Sequence, residues 1–244
     1  MNLKISESPP GWIKLKKLKL LKTIGNEFLY FKRNPPSLSD DEGIDNLSSL
    51  NCINLSGLNN IETIGNNFLY NCQSLISIDL SQLNKITSIK DYFLYHCSAL
   101  TEIKLSPKIK TIGNDCLIQC IKLKELDLSG LNNLITIGNN FLGHCYSLET
   151  IDLSGLNNLI TIGNNFLGHC YSLETIDLSG LNSLESIGNN FLYKCSALKS
   201  IKYNSKIGNI INNVKYPYLK NINTTVQWDI RNTVPALGRV ERIL

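Results

Sequence analysis

The sequence predicts an α/β repeat solenoid, with a parallel β-sheet on its concave face and short helical or irregular segments on its convex face. Three observations carry that prediction. Residues 131–155 read LNNLITIGNNFLGHCYSLETIDLSG, and residues 156–180 repeat those 25 letters without a change. An Ile-Gly dipeptide or its remnant recurs at Ile24, Ile64, Ile89, Ile112, Ile137, Ile162 and Ile187, in steps of 40, 25, 23, 25, 25 and 25 residues. Cysteines keep the same beat at Cys72, Cys97, Cys120, Cys145, Cys170 and Cys195. A unit this short cannot bury its own apolar face and must stack on a neighbour. The 244 residues are therefore expected to form one elongated domain of about eight coils.

Each part of the coil follows from the pattern. Leu148, Ile151 and Leu153 are apolar while Thr150, Asp152 and Ser154 are polar, the alternation of a half-buried strand. Ser154-Gly155 breaks the strand and turns the chain. Leu156, Leu159, Ile160 and Ile162 line the next side. Gly163-Asn164-Asn165 suits positive φ and amide bonds to turn backbone. Phe166, Cys170 and Leu173 are spaced four and three apart, so a helical turn would point all three inward. Strand, turn, helical segment and return make one coil.

Threading the same register backwards makes Trp12-Ile13-Lys14-Leu15-Lys16 the first strand. Residues 1–24 then form a basic N-terminal capping coil, and residues 25–203 hold about seven repeat coils. Residues 31–46, with Pro35-Pro36 and an acidic run, are a loop insertion that accounts for the 40-residue step. Residues 204–244 read as a degenerate closing coil and a C-terminal tail, whose Trp228 and Ile230 are expected to cover the last core face.

The unit L-x-x-I-x-L, a turn, then I-x-x-I-G-x-x-F-x-x-x-C-x-x-L resembles the BspA-like (Treponema-type) leucine-rich repeat. The best single match runs from Leu100 through Ile103, Leu105 and Pro107 to Ile109, Ile112-Gly113 and Cys120. Most other repeats carry Ser-Gly where the family has Pro, and Asn or Tyr where it has a small residue before the Phe. The commoner leucine-rich repeat has Asn where Leu58, Leu83, Leu131, Leu156 and Leu181 stand. The resemblance spans residues 12–203 and implies a leucine-rich-repeat fold and a binding scaffold, without naming what is bound.

Charge distribution narrows the partner. Residues 1–33 and 196–244 each carry eight Lys/Arg against two acids, whereas residues 34–195 carry eight against sixteen. The ends are thus +6 each and the middle −8, within a net charge of +4. The duplicated stretch has Glu149, Asp152, Glu174 and Asp177 and no Lys or Arg. A nucleic-acid-binding solenoid carries its basic stripe on the repeats, so nucleic acid is disfavoured. Lys14, Lys16, Lys17, Lys19 and Lys22 fit a solvated first coil rather than a membrane patch. No stretch has the length of a membrane span or the apolar core of a leader, so an intracellular location is expected.

No nucleophile–base set, phosphate-binding glycine loop or acid/base carboxylate pair appears, and two identical coils supply duplicate rather than convergent groups. No enzyme, cofactor or metal is expected. His96, His144 and His169 each precede a ladder cysteine, but adjacent residues on a helical turn point about 100° apart and do not converge on an ion. The cysteines are expected to be small buried hydrophobes. Partner binding is assigned to outward strand positions: Ser77, Asp79, Glu102, Lys104, Glu125, Asp127, Thr150, Asp152, Thr175, Asp177, Ser200 and Lys202. The expected function is a monomeric, non-enzymatic scaffold that presents these residues to a protein with a basic or polar surface. The alternatives are a surface or adhesin-like binding protein and a spacer array without a specific ligand.

Overall fold

The computed structural model describes residues 12–14, 22–28, 50–55, 57–214, 219 and 223–227. Each coil contributes a three-residue strand and a two-residue strand. They run β1 (Trp12–Lys14) and β2 (Thr23–Ile24), β3 (Cys52–Asn54) and β4 (Thr63–Ile64), then β5 (Ser77–Asp79) and β6 (Ser88–Ile89). Next come β7 (Glu102–Lys104) and β8 (Thr111–Ile112), β9 (Glu125–Asp127) and β10 (Thr136–Ile137), and β11 (Thr150–Asp152) and β12 (Thr161–Ile162). After β13 (Thr175–Asp177) and β14 (Ser186–Ile187) the chain continues into β15 (Ser200–Asn204), α1 (Ser205–Val214) and β16 (Asn223–Gln227). The loop expected at residues 31–46 and the tail residues Trp228 and Ile230 lie outside the described residues.

All strand pairs are parallel, and each residue faces its counterpart one coil away: Lys14 with Asn54, Ile78 with Ile103, Ile137 with Ile162, Ile176 with Ile201. The short strands β6, β8, β10, β12 and β14 form one continuous ladder. The three-residue strands do not form the single sheet expected of them. They make three pieces, β1-β3-β5-β7, β9-β11 and β13-β15-β16. The first interruption follows β7, where the coil is two residues shorter and carries Pro107.

The third side of the coil is not the helical segment that the spacing of Phe166, Cys170 and Leu173 predicts. All three are buried as expected, but so is Leu167, which a helix would rotate about 100° away from Phe166. The backbone alternates in hand instead, with φ of 56° at Asn165, 57° at Leu167 and 64° at His169. Each non-glycine residue in the left-handed region costs about 1–2 kcal/mol. Inter-coil hydrogen bonds offset that cost. Leu142 N–H donates to the Cys116 carbonyl one coil back (3.1 Å), while Asn140 and His144 donate to the Asn164 and Gly168 carbonyls one coil on (2.7 and 2.8 Å). A helix would satisfy these groups within its own coil and leave neighbouring coils untied.

The buried face explains the remaining repeat letters. Phe28, Phe68 and Phe93 stack in a column at 5.6 Å centroid spacing, and Phe141, Phe166 and Phe191 resume it at 5.9 and 5.7 Å. Cys116 takes the Phe position between the two runs. The ladder cysteines do more than fill space. The thiols of Cys97, Cys120, Cys145, Cys170 and Cys195 donate to the carbonyls of Leu69, Leu94, Leu117, Leu142 and Leu167 one coil back, at 3.0–3.4 Å. Gly163 is required by close approach rather than by positive φ, because a Cβ there would lie 2.5 Å from the Gly138 carbonyl carbon.

Residues 205–214, expected to belong to a closing coil, form an α-helix. Asn204 caps it, its side-chain oxygen accepting the Ile207 N–H at 3.0 Å. Ile207 is buried, and Ile210 and Ile211 pack against the core at helical spacing. β16 then returns parallel to β15, so the last strand is reached by a strand–helix–strand crossover.

Two consequences can be measured. Leu142→Ile conserves volume but puts a β-branched side chain at φ 58°, so it is expected to cost about 2–3 kcal/mol. The control Leu148→Ile is expected to cost about 1 kcal/mol, and urea unfolding midpoints compare the two. Burial pushes the thiols of Cys72, Cys116 and Cys195 up to about 12 and those of Cys97, Cys120, Cys145 and Cys170 above their ordinary value. Since thiolate is the reactive form, iodoacetamide followed by mass spectrometry should label half-buried Cys52 first and the seven buried cysteines only on unfolding.

Candidate functional site: a groove along the strand face

The strand positions 102–104, 125–127 and 150–152 alternate exposed, buried, exposed. Their middle residues, Ile103, Leu126 and Ile151, anchor the strands in the core, which forces the flanking residues to solvent. Register then aligns those residues in columns: Ser77 opposite Glu102 and Asp79 opposite Lys104, Glu125 opposite Thr150 and Asp127 opposite Asp152, Thr175 opposite Ser200 and Asp177 opposite Lys202. Of the twelve positions assigned from the sequence, ten are exposed, and Ser77 and Ser200 are half-buried.

A groove of about 920 Å³ runs over this face, across β7, β9 and β11 and on to Asp177. It brings together Glu102, Lys104, Glu125, Asp127, Thr150, Asp152 and Asp177. It does not include Ser77, Asp79, Thr175, Ser200 or Lys202. Its charged walls are therefore five carboxylates and one ammonium. Lys104 is tied to Glu102 at 3.1 Å, and that hydrogen bond and charge raise its pKa. Lys202 binds Asp177 at 2.9 Å from the groove's end. These exposed pairs contribute little to stability but fix where positive charge sits. Glu125, Asp127 and Asp152 remain as the acidic centre.

The aspartates also have a local task that the column pattern alone does not reveal. In Asp-Leu-Ser, the carboxylate of Asp79, Asp127, Asp152 or Asp177 accepts the N–H of the Ser two residues on, each at 2.8 Å. Such a turn is a standard use of Asp, and the fourfold recurrence of the tripeptide was its signal. The Ser129 hydroxyl and N–H hold Asp127 below the ordinary carboxylate value. Burial pushes Asp177 up, but Ser179 and Lys202 outweigh it and the net shift is downward. The turn uses one oxygen of each carboxylate, and at Asp177 the other is held by Lys202.

Asparagine ladders on another side were likewise missed. The Asn114 side-chain oxygen accepts the Asn139 N–H at 2.9 Å, and the Asn139 oxygen accepts the Asn164 N–H at 2.8 Å. A second ladder runs from Asn165 to Asn140 to Asp115, each amide donating at 2.7 Å. The doubled Asn after each Ile-Gly carries this information. His96, His144 and His169 stand beside these ladders, half-buried, with their cysteine neighbours inward. Among the described residues no three His, Cys, Asp or Glu side chains group to hold a metal ion. No helix there is long and apolar enough to cross a membrane.

Parallel coils stacked in register, with one strand face lining a groove, define a leucine-rich-repeat solenoid. The chain belongs to the BspA-type leucine-rich-repeat family, whose model matches residues 42–133 and 126–228 with six copies. A leucine-rich-repeat protein of T. pallidum is similar in structure, with 19% identity and a TM-score of 0.39 over 60% of this chain and 73% of that one. One from Bacteroides ovatus aligns over 91% of this chain and 73% of its own, with 17% identity and a TM-score of 0.29. A leucine-rich cell surface protein of Faecalibacterium prausnitzii aligns over 70% and 77%, with 12% identity and a TM-score of 0.29. Family membership rests on the repeat match. No curated protein matches the chain.

The Asp127 turn gives a pH test. A carboxylate held below its unfolded pKa contributes stability that is present above the unfolded value, about 3.9, and lost as pH falls through the folded one. Asp127→Asn keeps the turn acceptor and does not titrate. Its urea midpoint is expected to fall less than the wild type's between about pH 5 and pH 2.

Proposed function

We propose that the chain is a non-enzymatic scaffold that binds another protein along the strand-face groove. One observation carries this reading: five carboxylates and a single, already paired ammonium line one open groove on an otherwise basic chain. Like charges held side by side are destabilising by themselves, and a basic or polar partner surface relieves them. Thr150 and the backbone of the broken ladder add neutral hydrogen-bonding groups along the same line. The duplicated coils present the same Thr and Asp twice, which suits a partner with a repeated or extended basic segment rather than a small substrate.

The same reading takes the protein as a monomer in a reducing compartment. Five of the six ladder thiols act as hydrogen-bond donors, which requires reduced sulfur. Cell fractionation and light scattering test these two statements.

The groove is tested without disturbing its turns. The triple variant Asp127→Asn, Asp152→Asn, Asp177→Asn keeps each turn acceptor and removes three charges. For a partner captured by the wild type, the variant's affinity is expected to drop at least about tenfold, with a weaker salt dependence. Equal capture by both forms would exclude the acidic groove as the interface.

A further inference from the structure

The third side of the coil carries a second concavity that the strand-face reading does not use. At the residue two after the core Phe, the repeats read Tyr70, Tyr95, Ile118, Gly143, Gly168 and Tyr193. Tyr70 and Tyr95 stack face to face at 4.8 Å with rings 2° apart. The tyrosine column is interrupted for three consecutive coils, and in two of them, at Gly143 and Gly168, no side chain takes its place. Stacked coils are about 4.8 Å apart, so the interruption has room for ring-sized groups. The result is a notch of about 410 Å³ with Gly143 and Gly168 in its floor, Ile118 and Tyr95 at one end and Tyr193 at the other.

The side walls are as specific as the shape. His144 and His169 stack on each other at 4.3 Å. Their Nδ1 atoms are engaged by Tyr146 and Tyr171 hydroxyls at 3.3 and 3.1 Å, which fixes the rings and leaves Nε2 for another partner. Gln119, Asn140, Asn165 and Asn190 complete the lining. Each amide offers two donor hydrogens and acceptor lone pairs, and the Asn140 ladder uses one amide hydrogen and one acceptor bond. No Lys, Arg, Asp or Glu lines the notch. Burial, His144 and Lys194 all lower the pKa of His169.

We propose that this notch is a binding site for a neutral saccharide of one or two hexose units. The volume falls within the range of small-ligand pockets. Aromatic walls give an apolar face to ring C–H groups, and amides and imidazoles supply mixed donors and acceptors for hydroxyls. Among the described residues the lining itself holds no charged side chain to select a charged ligand, with Lys194 over the Tyr193 ring and Asp115 bonded to Asn140 standing outside it. Exposed tyrosines beside it, Tyr146 and Tyr171 at 39% and 43%, extend the aromatic surface beyond the notch.

The duplicated sequence supplies its own control. G143Y/G168Y restores the residue that neighbouring coils already hold, and neither glycine has positive φ; an added Cβ meets nothing closer than 3.3 Å. The full chain is titrated with cellobiose and with di-N-acetylchitobiose, following the His144 and His169 ring signals by NMR. Glucuronate and N-acetyltyrosinamide serve as the charged probe and the stand-in for a partner's aromatic side chain. At least one neutral disaccharide is expected to saturate at about millimolar concentration, and G143Y/G168Y to weaken it at least about tenfold. Tyr193→Ala, which removes an end wall at the surface, is expected to weaken it also and serves if the double variant does not fold. Silence of the His signals up to about 50 mM of both disaccharides overturns the proposal. So does unchanged binding in the variants, or stronger binding of glucuronate or N-acetyltyrosinamide. The strand-face Asn variants leave this site intact, so failure at one face is distinguishable from failure at the other.

Discussion

Everything in this molecule depends on coils stacking without lateral slip, so that each residue's nearest neighbour is its own copy one coil away. Strand ladders enforce this on two sides and the alternating left-handed backbone on the third. Gly163 shows how tight the tolerance is. Its Cα faces the backbone of Gly138 so closely that even a methyl group has no space. A coil that slipped by one residue would place a side chain there and expose its isoleucines at the same time. Register is thus fixed by packing and by hydrogen bonding together, and neither coil nor ladder is stable without the next.

Stacking of copies also selects which side chains work. A residue must be able to neighbour itself. Phe on Phe, Tyr on Tyr and His on His satisfy that by ring stacking, and Asn on Asn by amide hydrogen bonds. Cysteine satisfies it through the carbonyl of the left-handed leucine one coil back. Aspartate on aspartate is the exception, tolerated because each carboxylate is anchored in its own turn and the face is open to water.

Much of this was legible in the sequence, and the rest was hidden for identifiable reasons. Leu148, Ile151 and Leu153 announce a strand because alternation is a property of single residues. Phe166, Cys170 and Leu173 at helical spacing misled, because inward-facing side chains constrain the face and not the backbone that delivers it. Leu167, apolar and adjacent to Phe166, is buried as well, but adjacent burial does not tell the two backbones apart, since α1 packs both Ile210 and Ile211 against the core. α1 was also written plainly, in Asn204 followed by Ile207, Ile210 and Ile211, but lay in a stretch where the repeat had faded. The outward strand residues were placed correctly because register needs only the period. Which of them share a groove is not set by the period, since the groove crosses the break after β7 and reaches Asp177 beyond the break after β11, and that second break falls within the duplicated stretch, where no letter marks it.

That distinction bears on what the duplication does. On the strand face, two identical coils repeat one set of outward residues, and Asp152 and Asp177 differ only through their neighbours, so discrimination falls to Lys104 and Lys202. On the third side the same duplication has the opposite effect. One glycine among tyrosines would leave a gap one coil wide, which neighbouring rings could close over. Two in succession, with Tyr95 and Ile118 before them and Tyr193 after, leave a gap with walls of its own. A perfect copy adds no new residue type, yet adjacency turns a missing side chain into a shaped space. In a solenoid, the content of one coil sets chemistry, and the run length of identical coils sets the size of whatever that chemistry can hold.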